Sequence, residues 1–150
     1  MSGLDFSLGE TADMLRETCE RFARDRLAPI AAEIDSTDEC PRWVWTEMGE
    51  LGLHGITVEE EDGGLGLGYL EHVVAMEEIS RGCASCGVIM SVNNSLYLDP
   101  VVKNSNEQQR EQFLDPFLHT GKVGCFALSE PGNGSDAGAA STKAERNGDV

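Results

Sequence analysis

Lys122-Val123-Gly124-Cys125-Phe126-Ala127-Leu128-Ser129-Glu130-Pro131-Gly132-Asn133-Gly134-Ser135-Asp136-Ala137-Gly138 is the stretch on which the reading of the fold turns. Its first part, Lys122–Leu128, is a compact run of β-favouring and small residues, which predicts a strand. Ser129 to Gly138 is dense in Gly, Pro, Asn and Ser, the residues that dominate turns. A second strand is expected over about Ser141–Arg146. It leads into Asn147-Gly148, the strongest short hairpin signal. The sequence given ends two residues later. A hairpin needs a returning strand, and a lone hairpin is marginal in water. The expectation is therefore a sequence cut inside a β domain.

Upstream the texture is helical. From Ser7 to about Ile34, Leu8, Ala12, Leu15, Cys19, Phe22 and Ala23 recur at helical spacing among Glu and Arg. Ser7 with Glu10 has the form of a capping box, and Pro29 should interrupt the helix after Leu27. A second helix is expected from Pro41 through Trp43, Val44 and Met48, ending near Gly52. Trp43 and Trp45 lie two apart, so only one can sit fully in the core. An extended piece, Leu53–Val58, and an acidic, Gly-rich, flexible connector, Glu59–Gly68, should follow. Further helices are predicted over Tyr69–Arg81 and Ser85–Leu98, the latter ending before Pro100. A last one over Glu107–Phe117 is capped by Asn106, with Pro116 ending it or lying in its last turn. This divides the chain into an all-helical domain, residues 1–121, and the beginning of a β domain, residues 122–150.

Composition narrows the function classes. The 150 residues carry 27 acids against 11 Lys and Arg, a net charge of −16. Nucleic-acid binders need clustered cations to displace counterions, so neither nucleic acid nor an anionic membrane surface is expected as a partner. Residues 1–80 hold most of the acid, making the front a solvated acidic face. No apolar run reaches the roughly 18–20 residues of a membrane helix. Met1-Ser2-Gly3-Leu4-Asp5 has neither signal-peptide nor transit-peptide character. Five scattered cysteines, an odd number, argue against a disulfide framework and suit a reducing compartment. The expected location is cytoplasmic, or the mitochondrial matrix for a mature eukaryotic form.

Read as bare chemistry, Gly124–Gly138 supports two interpretations. Its glycines let backbone N–H groups approach a phosphate, and the Ser129 and Ser135 hydroxyls can donate to ligand oxygens. It is also an ordinary turn by composition, and it matches neither a P-loop nor a dinucleotide fingerprint. Cys83-Ala84-Ser85-Cys86 has half-zinc-site or redox spacing, but no second pair matches it. Buried small hydrophobes are the expected role. Gly64-Leu65-Gly66-Leu67-Gly68 follows four acids, Glu59 to Asp62, which would repel a phosphate. Glu77 and Glu78 read as helix surface, cap or ion pairs, and the three histidines carry no signal.

Cys125 to Asp136 closely resembles the first flavin-binding signature of the acyl-CoA dehydrogenase family. Met76-Glu77-Glu78-Ile79-Ser80-Arg81 and Leu51-Gly52-Leu53 with Gly63-Gly64-Leu65-Gly66 resemble its helical-domain landmarks, in the expected order. Up to about Ser80 the text looks more like isovaleryl-CoA dehydrogenases. From Arg81, Gly82-Cys83-Ala84-Ser85 and Ser91-Val92-Asn93-Asn94-Ser95-Leu96-Tyr97 look like the short-chain, butyryl type.

The resemblance implies a mainly α N-terminal domain followed by the first strands of a β-sheet or barrel middle domain. It implies FAD, an acyl-CoA substrate dehydrogenated to the trans-2-enoyl-CoA, an electron-transferring flavoprotein as electron acceptor, and a homotetramer at full length. The flavin contacts it implies are Phe126, Ala127, Leu128, Ser129, Glu130, Pro131, Gly132, Asn133, Gly134 and Ser135. Ser135 should also approach the CoA portion, and Leu96 and Tyr97, within Ile89–Tyr97, should line the acyl pocket. The catalytic glutamate is expected beyond Val150. An acyl-CoA oxidase, or a non-catalytic acidic helical interaction module, are the rival expectations.

Overall fold

The computed structural model describes residues 7–119 and 121–148, so the start Met1–Asp5 lies outside the described residues. The first helix, α1, spans Glu10–Phe22. Gly9 caps it with φ +100°, and no side chain closes the cap. The expected Ser7–Glu10 box does not form, because the chain turns at Gly9 in a conformation only glycine adopts readily.

Pro29 leaves the imprint the sequence predicts. The ladder widens into a π turn at Ala23–Leu27, tightens into a 3₁₀ turn at Ala28–Ile30 and resumes as α2, Ala31–Thr37. A proline ring clashes with the carbonyl four residues back, and the altered register relieves that clash. The same device recurs downstream. Helix α5, Ala84–Val92, passes through a π turn at Asn93–Leu98 into α6, Asp99–Asn104, with Pro100 in its first turn. Pro100 therefore begins a helix instead of ending one, which corrects the expected stop.

Helix α3, Arg42–Glu50, begins after Pro41, which is the N-cap and not a first-turn residue. It ends in a Schellman motif: Leu53 N–H donates to Met48 O at 3.0 Å and Gly52 N–H to Gly49 O at 2.9 Å. Gly52 supplies the required positive φ of +75°. Trp45 is buried while Trp43 is half-buried, as their spacing requires.

Between Leu53 and Val58 the backbone makes successive turns, so the expected extended piece is absent. The connector after it is not loose either. Leu65, Gly66 and Leu67 donate N–H groups to Gly55, Val58 and Ile56 carbonyls at 2.8–2.9 Å. A Cβ on Gly64 would lie 2.1 Å from the Val58 carbonyl oxygen, so the close approach depends on glycine there. Arg110 pins the acidic stretch from outside through Asp62, at 2.7 Å.

Helix α4, Tyr69–Gly82, starts with the Glu71 carboxylate accepting from the Gly68 N–H at 3.0 Å. It packs against α1 and α5. Helix α7, Glu107–Phe113, carries the predicted Asn106 cap, and Gln109 completes it into a capping box. Pro116 falls in the first turn of a separate short helix, α8, Asp115–Leu118.

Two apolar clusters organise this front part. The larger gathers Phe22, Leu27, Met48, Ile56, Ile79 and Met90 with Cys19, Cys83 and Cys86, so the Cys83/Cys86 pair is the buried, free pair expected. The smaller joins Val58, Leu98, Leu114 and Leu118, flanked by Tyr97 and Phe117. Asn94 ties helix to loop: its amide donates to Leu53 O at 2.7 Å and Met90 O at 2.9 Å, and its oxygen accepts from Ile56 N–H at 3.2 Å. Glu77 lies on the surface and pairs with Arg81 at 3.7 Å, whereas Glu78 is buried and holds the ion-pair role expected of the two. Its carboxylate pairs with Arg81 at 3.4 Å and Arg16 at 3.9 Å. The structure is thus mainly helical.

Among the described residues there is no strand. Lys122–Leu128 and Ser141–Arg146, expected as strands, form no β ladder, and an isolated antiparallel bridge joins Glu130 to Asn133. A strand exists only through its neighbour's hydrogen bonds, and no segment among the described residues offers a returning edge.

Candidate functional site

The segment carrying the glycine- and serine-rich loop is moored to the helical part near its start. Trp45 Nε1 donates to the Lys122 carbonyl at 2.9 Å. At Gly124 the chain lies flat on the Tyr97 ring, so close that a Cβ would come within 2.1 Å of it. Tyr97 is itself fixed, donating its hydroxyl to Phe113 O at 3.0 Å and tilting against Phe117 at 4.5 Å between ring centroids. Burial first, then the nearby Cys125 thiol, pushes the Tyr97 phenol pKa up.

Beyond Gly124 the chain leaves the helical surface. Cys125, Phe126, Ala127, Leu128 and Ser129 are all exposed. Phe126 and Leu128 remain 47% and 43% exposed, a small apolar strip ahead of the loop. Glu130 and Asn133 exchange both backbone hydrogen bonds at 3.1 Å, closing a tight turn over Pro131 and Gly132. Around Gly132 and Gly134 there is open space, with no atom within 4 Å of an added Cβ.

Among the described residues, no acceptor in the chain takes the Gly132, Gly134 or Ser135 N–H, or the Ser129 or Ser135 hydroxyl. These are the free donors that a phosphate or a flavin edge requires, and the open glycines admit it. The apolar strip offers a flat ring an apolar surface. The donor set and the space fit a flavin nucleotide.

Glu130 behaves differently from its neighbours. Its carboxylate is turned inward: one oxygen accepts from Ser141 N–H and Oγ, both at 2.8 Å, and from Asn133 Nδ2 at 3.2 Å. The other accepts from Thr142 N–H at 2.8 Å and from Thr142 Oγ1. These bonds, led by the Thr142 hydroxyl, pull the Glu130 pKa down from 4.5 to about 2. The sequence does not announce this clasp, because donors 11 and 12 residues away leave no local pattern.

The structure brings Tyr97 against Gly124 but joins neither Leu96 nor Tyr97 to Ser135 among the described residues. Leu96 is exposed, whereas Tyr97 is half-buried and engaged in packing. His54 is sealed in the core, its Nε2 2.8 Å from Trp45 O and its ring stacked on Trp45 at 3.9 Å. Burial lowers its pKa from 6.5 to about 4, so it is a neutral packing residue at pH 7. No helix among the described residues is long and apolar enough to cross a membrane.

Comparison with known proteins meets this arrangement. The family described as acyl-CoA dehydrogenase, N-terminal domain, matches residues 9–120. The chain belongs to the acyl-CoA dehydrogenase family. Rat mitochondrial short-chain specific acyl-CoA dehydrogenase is 58% identical over 142 residues, covering 95% of this chain and 34% of that protein. The mitochondrial isovaleryl-CoA dehydrogenase of Arabidopsis thaliana is 42% identical over 139 residues, covering 91% and 34%. A solved structure described as the electron transferring flavoprotein of Acidaminococcus fermentans superposes with a TM-score of 0.84 at 37% identity. That superposition covers 91% of this chain and 36% of the other. The chain thus spans about a third of the length of the curated relatives it matches.

Within the family, both likenesses that the sequence suggested are present, and the short-chain one runs across nearly the whole chain at the higher identity. The matched region ends just before Gly121, where the chain leaves the helices.

Proposed function

We propose that this chain is the N-terminal part of a flavin-dependent dehydrogenase that converts a short- or branched-chain acyl-CoA to its trans-2-enoyl-CoA. The observation that carries this reading is the 58% identity to a short-chain specific enzyme, which runs through the open loop at Ser129–Ser135. Residues 1–121 form its helical domain and residues 122–150 begin its β middle domain. The end of the family match at residue 120 and the change from buried to exposed chain at Cys125 support that division.

The cofactor is FAD, which when bound supplies the hydride acceptor for the acyl chain. Phe126 and Leu128 offer the ring an apolar surface, Ser129 donates its hydroxyl to the ring edge, and Gly132, Gly134 and Ser135 present N–H and O–H donors to phosphate oxygens. Leu96 and Tyr97 border the acyl side, with Tyr97 holding the flavin segment at Gly124. The base that removes the α-proton lies outside residues 1–150. Electrons leave to an electron-transferring flavoprotein, a reading supported by the likeness to the Acidaminococcus structure. The complete protein is a homotetramer that works in the mitochondrial matrix where the source is eukaryotic, a setting in line with the relatives' names, which call them mitochondrial.

The test is a visible spectrum of the full-length protein before and after butyryl-CoA or isovaleryl-CoA. The expected result is a yellow flavin spectrum that bleaches, more completely with butyryl-CoA. A colourless protein that takes up no FAD overturns the reading.

A further inference from the structure

From Cys125 to Gly148 every residue is exposed except two, Glu130 and Asn133. Among the described residues no apolar core lies beneath this stretch, so hydrophobic burial does not give the loop its shape. Polar bonds must do so, and they converge on one side chain. Five donors from Asn133, Ser141 and Thr142 meet the Glu130 carboxylate, and no Lys or Arg pairs with it among the described residues. Both of its oxygens face the far end of the same loop.

We propose that Glu130 is a positioning residue: its carboxylate closes residues 130–142 into a preformed ring that holds Gly132, Gly134 and Ser135 ready for FAD, without itself touching the cofactor. The inference rests on the flavin reading above and departs from the family-implied set in one respect, since it removes Glu130 from the contacts.

The physical logic is preorganisation. A loop without a core samples many conformations, and ordering it on binding subtracts from affinity. A carboxylate that accepts two backbone N–H groups and two hydroxyls from consecutive residues fixes the loop's closing point beforehand. The Asn133 amide, held by the same carboxylate, extends that restraint to the turn between Gly132 and Gly134. Charge-assisted bonds of this kind are roughly twice as strong as neutral ones. Gln cannot replace Glu here, because its amide would set a donor against the donors of Ser141 or Thr142.

The experiment uses the full-length protein, stripped of flavin and titrated with FAD by fluorescence, as wild type, E130Q and S141A. Amide exchange at Ser141 and Thr142 and thermal melting of the apoprotein are followed in parallel. E130Q should weaken FAD binding by about tenfold, the loss of roughly one charge-assisted bond's worth of affinity. It should speed exchange at both amides and leave the apoprotein melting temperature unchanged, since the core is elsewhere. S141A keeps four of the five donors and should weaken FAD by only about twofold to threefold. Wild-type FAD affinity in E130Q, with exchange accelerated, overturns the proposal, because the clasp would then be merely local. Unchanged exchange overturns it as well, as the clasp would not exist. If E130Q fails to fold, S141A and T142A combined carry the same expectation. A wild-type protein that binds no FAD defeats the flavin reading itself, whereas a failure confined to E130Q defeats only the clasp.

Discussion

Between Glu10 and Leu118, Leu27, Leu53, Ile56, Ile79, Met90 and Leu98 are fully sealed from solvent, and helices cross-brace each other around them. Between Cys125 and Gly148 nothing is sealed, and the shape comes from a carboxylate and the hydroxyls and amides around it. The first region is held by non-directional burial spread over many residues, which tolerates local error but responds to lost volume. The second is held by a few directional bonds, which respond to the loss of one acceptor and are indifferent to volume. A framework of the first kind suits a scaffold, and a loop of the second kind suits a ligand that must enter and leave.

The largest test of that contrast is Ile79→Ala. Ile79 is 0% exposed at the contact of α4 with α1 and α5. Removing its branch should destabilise the chain by about 2–5 kcal/mol, read by urea or thermal unfolding. A loss well under 1 kcal/mol would show that the larger cluster is not the seat of stability.

Acid separates the two regions next. His54 is held neutral, its pKa lowered from 6.5 to about 4. The unfolded chain therefore binds a proton more readily, and stability is lost as pH falls from about 6.5 towards 4, by about 3 kcal/mol in all. The Glu130 pKa is depressed, so its contribution is present above about 4.5 and disappears only as pH falls through about 2. Unfolding of the helical region should thus weaken between pH 6.5 and 4, while amide exchange at Ser141 and Thr142 stays slow until lower pH. His54→Phe should flatten the first profile and leave the second alone. Loss of loop protection already at pH 5 to 6 would contradict the separation.

The junction is the next target. At Gly124 an added Cβ would meet the Tyr97 ring at 2.1 Å, with that ring held by Phe113 and Phe117. Gly124→Ala should destabilise by about 1–3 kcal/mol and release the following segment. Tyr97→Ala in the same chain should recover part of the loss, since it empties the space the methyl needs. Additive losses would mean that the two residues do not meet.

These differences also explain what could be read from the amino acids alone. Phe22, Val44 and Met48 announce their helices because a 3.6-residue period is a local signal. Pro29 and Gly52 announce interruptions for the same reason. Pro100 misled, since whether a proline ends or opens a helix depends on how the preceding turn is wound, and the π turn at Asn93–Leu98 has no local signature. Leu53–Val58 misled because its order comes from Asn94 and from Leu65 to Leu67, remote in sequence. At the candidate site the glycines and serines were legible as types. The inward Glu130 carboxylate and the Tyr97–Gly124 contact were not, since both depend on partners more than ten residues away.

The smallest effect is expected at Leu128, and it is the most discriminating. Leu128 is as apolar as the residues of the core, yet it is 43% exposed and belongs to neither apolar cluster. If burial alone sets stability, Leu128→Ala in the 150-residue chain should change unfolding by no more than about 0.5 kcal/mol. The same substitution in the full-length protein removes an apolar surface offered to the flavin ring, so it should weaken FAD binding while the short chain stays indifferent. Such a residue is silent in the scaffold and audible only with the ligand. A loss of 2 kcal/mol in the short chain would place Leu128 in a packed interface and dissolve the distinction between the two regions at that point.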